Sequence, residues 1–253
     1  MISFILFVTT FINVPSKIGY HNKFTPCMHH YPKDTKPIVV HGGSLRTWSF
    51  RDPFVDQVQV VLNTEGRPMD ANIELWNGPN NTPFKVRVYS ENGKYNPFNT
   101  IIETPRGPNT ISVSNSGQLE FPFISYVFPD HIKHKYECSN TLKTIQGGSL
   151  RTYPFGPNVD SVQILLKTDG RPLNSRLELL QGPNNNKQVI ELYTDDGCDR
   201  PFSCIMKTPG YGNIIRIVNT SPIEFPIVAS AIPYEMCSSK LDNQYRNIYD
   251  SAL

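Results

Sequence analysis

No stretch of this 253-residue chain spaces its apolar residues at the 3.6-residue period of a helix, so an architecture built on helices is not expected. No apolar run reaches the ~20 residues that span a bilayer as a helix, and no stable membrane insertion is expected. Charge of one sign is also missing. Lys plus Arg number 24 and Asp plus Glu 22, giving a formal net charge of +2 with no basic run and no acidic tail. A nucleic-acid binder needs a basic footprint, so that class is set aside. Cysteine is scarce: Cys27, Cys138, Cys198, Cys204 and Cys237 are odd in number and contain no C-x-x-C pair. They read as reduced structural thiols rather than a disulfide framework. A pairing of Cys198 with Cys204 across a loop stays open.

Enzyme motifs are absent as well. The chain has no G-x-S-x-G, no phosphate-binding G-x-x-x-x-G-K-[ST], no H-E-x-x-H and no dinucleotide-binding glycine pattern. "HGGSL" (His41–Leu45) lacks the Gly-Lys-Ser/Thr of a phosphate cradle and reads as a Gly-Gly turn into a strand. His29-His30 and His131-x-x-His134 lie in connecting segments and have no counterparts elsewhere. They are read as solvated, and no metal or cofactor is expected. The acidic loop Asp195–Asp199 is calcium-like in composition only, and reads as a hairpin tip. Asn-x-Ser/Thr occurs at Asn80 and Asn219 and bears on glycosylation only if the chain is secreted.

What the chain has is turn residues and aromatics. It carries 22 Pro, 16 Gly, 14 Phe and 12 Tyr, which points to many short strands separated by turns. It also repeats itself. "GGSLRTWSF" (Gly42–Phe50) returns as "GGSLRTYPF" (Gly147–Phe155), an offset of 105. "TEGRPMDANIELWNGPNN" (Thr64–Asn81) returns as "TDGRPLNSRLELLQGPNN" (Thr168–Asn185), an offset of 104 that persists to Glu120-Phe121-Pro122 and Glu224-Phe225-Pro226. A constant offset over about 100 residues is a tandem duplication of a domain, not a solenoid.

Each copy reads as all-β. Val58, Val60 and Leu62 alternate with Gln57, Gln59 and Val61; Ile73 and Leu75 flank Glu74; Val86 and Val88 alternate with Lys85 and Arg87. Ile111 and Val113 follow, and "LEFPFISYVF" closes the unit. Period-two alternation with turns every 8–12 residues or so indicates a β-sandwich or jelly roll. Pro122 and Pro226 are placed inside the last strands, which predicts a free edge near each C-terminus. The boundaries are a leader at 1–36, domains at 37–137 and 138–235, and a C-terminal extension at 236–253. Ile2–Val14 suits the apolar region of a targeting leader, with an early buried strand as the alternative.

Residues kept in both copies are Arg46/Arg151, Asp56/Asp160, Arg67/Arg171, Glu74/Glu178 and Glu120/Glu224; all but the Asp pair are candidates for assembly or structure, together with the aromatic position Trp48/Tyr153. Retention in both domains speaks against a single catalytic site. Either an Arg–carboxylate network ties turns to strands, or some of these groups, Arg67 and Arg171 above all, lie on a repeated assembly surface.

These motifs, with "ETPRGPNTI" and "GQLEFP", resemble the pyrenoid shell proteins (PyShell) of diatoms and other marine algae over about Gly42 to Tyr234. The resemblance implies a non-enzymatic chloroplast protein at the pyrenoid periphery, with two β-rich domains related by a pseudo-twofold. It implies self-assembly into a sheet that encloses the Rubisco matrix and supports fixation of carbon dioxide. The implied partners are further copies of the chain, the Rubisco matrix and related shell isoforms. The C-terminal extension, which has no counterpart after the first domain, reads either as a disordered tail or as a segment that reaches over a neighbouring subunit; the apolar Leu241, Tyr245, Ile248 and Tyr249 favour the second. The alternative from another class is a secreted tandem β-sandwich that binds carbohydrate or mediates adhesion. Trp48 and Tyr153 would suit a repeated aromatic platform, whereas Trp76 and its counterpart Leu180 would not.

Overall fold

The computed structural model describes residues 35–130, except Arg106, and 141–236. The expected leader up to residue 34 and the extension from residue 237 lie outside the described residues, as do His29, His30, His131, His134, Cys27, Cys138 and Cys237. Among the described residues every regular element is a strand. The first copy contributes β1 (Ile38–Val40), β2 (Leu45–Phe50), β3 (Gln57–Asn63), β4 (Met69–Trp76), β5 (Phe84–Ser90), β6 (Phe98–Glu103), β7 (Asn109–Asn115) and β8 (Phe123–Asp130). The second contributes β9 (Lys143–Ile145), β10 (Leu150–Pro154), β11 (Val159–Lys167), β12 (Leu173–Gln181), β13 (Asn186–Thr194), β14 (Phe202–Lys207), β15 (Asn213–Asn219) and β16 (Ile227–Met236).

These strands form two antiparallel eight-stranded sheets. Sheet I runs β1-β8-β3-β6-β14-β11-β16-β9, and sheet II runs β2-β7-β4-β5-β13-β12-β15-β10. Each sheet takes four strands from each copy and crosses from one copy to the other without a break. Exchanging every strand for its counterpart and reading the order backwards returns the same order, so the fold is all-β with pseudo-twofold symmetry.

The register shows where that axis passes. In sheet II, β5 and β13 pair Tyr89 with Val189, Arg87 with Glu191 and Lys85 with Tyr193. The repeat offset maps Arg87 onto Glu191 itself, so this pair sits on the axis. The ladder is extended at its two ends by Glu91 N donating to Lys187 O and Asp195 N donating to Pro83 O, both at 2.9 Å; these two bonds are also exchanged by the symmetry. In sheet I, β6 and β14 pair Thr100 with Cys204, again a residue facing its own counterpart.

The alternation read from the sequence fills the space between the sheets. Val58, Val60, Leu62, Ile73, Leu75, Val88, Ile111 and Val113 are fully buried; so are the counterparts Val162, Ile164, Leu166, Leu177, Leu179, Ile215 and Ile217, and Leu192, the counterpart of Val88, is nearly so. Each such side chain contributes about 1.5–3 kcal/mol relative to exposure. The core is continuous across the junction: Phe84 of the first copy stacks on Phe202 of the second, ring centroids 6.4 Å apart. Val61, read as facing away from the core, is buried too, as are Ile101, Phe128 and Leu165, on an outer face of sheet I that they share with the hydrogen-bonded pairs Gln57–Glu103 and Gln59–Asn99.

The free edges differ from expectation. Pro122 and Pro226 precede β8 and β16 rather than lying inside them. Each follows a tight turn, closed by Phe121 N to Gln118 O and Phe225 N to Pro222 O, so neither proline removes a ladder N–H. Both C-terminal strands are flanked on two sides, β8 by β1 and β3, and β16 by β9 and β11. Among the described residues the edges are instead the N-terminal strands of each copy, β1 and β9 in sheet I and β2 and β10 in sheet II. The alternation pattern identifies strands but not their order, which depends on pairings between residues distant in sequence.

Candidate assembly surfaces

The duplicated GRP turn is built identically in both copies. Gly66 and Gly170 both have φ of +97°, a region glycine enters without steric cost. Thr64 Oγ1 donates to Arg67 O at 2.6 Å, as Thr168 Oγ1 does to Arg171 O. The same two carbonyls accept from Gly93 N and Gly197 N at 3.1 Å. The exposed arginine side chains then reach the loop before the last strand: Arg67 Nη1 donates to Glu120 O at 2.7 Å and Arg171 Nη1 to Glu224 O at 2.8 Å. Arg171 also lies 5.9 Å from the Phe225 ring centroid and 3.6 Å from Asp169. Each arginine thus clasps two loops of its own copy through a backbone carbonyl, while the Glu120 and Glu224 side chains remain exposed.

Glu74 and Glu178 occupy equivalent places on the outer face of sheet II with different partners. Glu74 accepts from Trp76 Nε1 at 2.8 Å and lies 3.7 Å from Lys85 Nζ. Glu178 is buried beneath Arg176, at 2.8 Å, and Arg216, which it contacts through Oε2. The second copy has Arg176 where the first has Asn72, Arg216 where it has Ser112, and Leu180 where it has Trp76. Two cations replace an indole N–H and a lysine, so the retained carboxylate stays compensated as its burial increases.

Between these clusters, the outer face of sheet II forms a groove of about 510 Å³ over the pseudo-axis, lined by Asn72, Glu74, Lys85, Arg87, Arg176 and Glu191 among others. Arg87 is bonded to Asp70 at 3.2 and 3.4 Å. That hydrogen bond and charge, helped by Glu191, hold its guanidinium above the usual range. Glu191 lies 3.9 Å from Arg176. A twofold places like residues opposite each other at the axis; here arginine faces glutamate and repulsion is avoided. Sequence reading did not single out this pair, although the offset of 104 connects them directly.

The remaining candidates lie on the edge strands of sheet II. Arg46 and Trp48 are on β2, Arg151 and Tyr153 on β10. Trp48 and Tyr153 pack against the core while both arginines are exposed. Burial pushes the Tyr153 phenol above its ordinary value, and the charge of Arg151 offsets part of this. Thus Arg46, Trp48, Arg151 and Tyr153 lie at the two far ends of one sheet, Arg67 and Arg171 clasp loops, and Glu74 and Glu178 lie near the axis. The structure does not gather the ten into one site.

Other motifs resolve into local structure. A Cβ on Gly42 would lie 2.1 Å from Gln118 O, and one on Gly147 1.8 Å from Pro222 O, so "HGGSL" is a close backbone approach. Asp196 Oδ1 accepts from Cys198 N and Asp199 N, as Asn92 Oδ1 does from Lys94 N and Tyr95 N. The acidic loop therefore shares its turn chemistry with the first copy. Asn219 is buried and donates to Ile145 O and Phe225 O; Asn115 makes the equivalent pair of bonds. These two asparagines pin the N-terminal strand of each copy, a role sequence reading missed. Cys198 and Cys204 are both free thiols, Cys204 buried with its pKa pushed well up by burial. Among the described residues, no three His, Cys, Asp or Glu side chains are placed to hold a metal ion.

A search of curated proteins finds no match. Among solved structures, the vicilin of Solanum melongena covers 78% of this chain and 75% of its own at 8% identity, with a TM-score of 0.20. A family model, that of the diatom pyrenoid shell protein, matches residues 31–233, a span that holds both repeats, the paired GRP clasps and the four junction strands. The chain belongs to the diatom pyrenoid shell protein family.

Proposed function

We propose that this chain is a non-enzymatic building block that self-assembles into a protein sheet around the Rubisco matrix of the chloroplast pyrenoid, where it supports fixation of carbon dioxide. Family membership supports a structural role in the pyrenoid. The observation that carries the assembly reading is the palindromic strand order. It gives the protomer equivalent edges at opposite ends of each sheet, and contacts between such edges do not close on themselves, so they can propagate. Partners on this reading are further copies, related shell isoforms and the Rubisco matrix. Arg67 and Arg171, exposed at equivalent points, are proposed to contribute to the assembly surface in addition to clasping their own loops.

Electron microscopy of the purified full chain tests this: ordered sheets or tubes are expected. A monodisperse monomer at all concentrations would reject it. A fluorescent fusion is expected to give a rim around the Rubisco body, and a secreted signal would reject the location.

A further inference from the structure

We propose that a second copy of this chain extends sheet II by edge pairing, β2 of one copy running antiparallel to β10 of the next. The proposal rests on the self-assembly reading above and names the contact.

Among the described residues, β2 has a strand partner only in β7, and β10 only in β15. The polar groups of their outer sides follow from the ladder. Asn115 N donates to Ser44 O, and Asn219 N donates to Ser149 O. Alternation then turns the backbone groups of Arg46 and Trp48 toward β7, and those of Arg151 and Tyr153 toward β15. Those of Leu45, Thr47 and Ser49, and of Leu150, Thr152 and Pro154, face outward. Pro154 lacks an N–H but its carbonyl remains, so one donor is missing from the outer edge.

The molecule already contains a junction of this kind. At β5 and β13, equivalent strands from the two copies meet antiparallel about the pseudo-axis. Applying the same rule to β2 and β10 fixes one register: Thr47 opposite Thr152, Leu45 opposite Pro154, and Ser49 opposite Leu150. Leu45 and Leu150, 48% and 57% exposed, would then be covered in part. On the other face, Arg46 meets Tyr153 and Trp48 meets Arg151, both as non-hydrogen-bonded pairs, in which side chains approach most closely. A guanidinium over an aromatic ring is attractive, so the four residues retained at these positions become complementary, and no arginine directly opposes another.

The competing interpretation is that these arginines protect the edge, since inward-pointing charge and proline are common devices against strand pairing. The two differ in sign. If the arginines belong to the contact, Arg46→Ala with Arg151→Ala raises the concentration needed for assembly of the full chain by roughly tenfold or more. If they protect the edge, the same variant assembles more readily, which overturns the proposal. Thr47→Pro with Thr152→Pro removes two outward N–H groups without touching the internal ladder, and is expected to abolish growth while the melting of the monomer changes little. Finally, Thr47→Cys mixed with Thr152→Cys should yield disulfide-linked dimers under mild oxidation, and neither variant alone should exceed the wild type. Ordered assemblies that survive the proline variant, or Thr47→Cys linking to itself as readily as to Thr152→Cys, overturn the β2–β10 contact and leave self-assembly standing. A wild-type chain that never assembles overturns both.

Discussion

At the scale of single residues, repetition separates groups that hold the fold from groups available to a partner. Gly42 and Gly147 are required by space, since any Cβ would strike a carbonyl at about 2 Å. Gly43, with φ of +70°, has open space where a Cβ would lie and is required only by its backbone. Gly42→Ala is therefore expected to lower stability by at least ~1–3 kcal/mol, and Gly43→Ala by about 1 kcal/mol. Urea unfolding checks the order; equal losses would show that the close approach is not the constraint. The arginine clasps make the opposite case. Each donates to one carbonyl from an exposed side chain, a bond that contributes about 0.5–1.5 kcal/mol. Arg67→Ala and Arg171→Ala are expected to stay folded and to impair assembly more than they shift the melting temperature. Unfolding of both variants would instead assign the arginines entirely to the fold.

At the scale of elements, the axis pair Arg87 and Glu191 on β5 and β13 is the test of the junction. Glu191→Arg sets two guanidinium groups opposite each other and leaves Arg176 without one of its carboxylates. A lower urea midpoint is expected, with a deficit that shrinks as salt is added because the groups are exposed. Combining it with Arg87→Glu should restore part of the loss. Strict additivity of the two changes would mean that the residues do not feel each other across the junction. Much of this element-level structure was legible in the sequence: Ile73 and Leu75, Val86 and Val88, and Ile111 and Val113 alternate because one face must leave water. The order of the strands was not. Pro122 suggested a free C-terminal edge because a proline near an alternating run resembles an edge strand, but its turn ends one residue before β8 begins. The edge position of β2 depends on which distant strands pair. So does the meeting of Arg87 with Glu191, whose side chains looked like ordinary outward-facing charges. The candidate residues were legible as a repeated set, but their dispersal over two sheet edges, two loop clasps and one face was not, because alternation assigns a side chain to a face without saying where on the face it falls.

At the scale of the molecule, the two copies share both sheets and one core, so each is the other's edge protection. The inner strands β5, β6, β13 and β14 would all be exposed edges if the copies came apart, and Phe84 and Phe202 would lose their stacking partner. The chain is therefore expected to unfold as one cooperative unit. Its tryptophans offer a direct check, because Trp48 and Trp76 both lie in the first copy. Tryptophan fluorescence follows that copy, and far-ultraviolet circular dichroism follows both. Phe202→Ala, a change confined to the second copy, removes a fully buried ring and is expected to lower stability by about 3–5 kcal/mol. If the copies are one unit, the fluorescence and dichroism transitions of the variant move together by the same amount in urea. If fluorescence keeps the wild-type midpoint while dichroism splits into two steps, the copies are separate folding units. On the assembly proposed above, the protomer would then have a hinge at its centre.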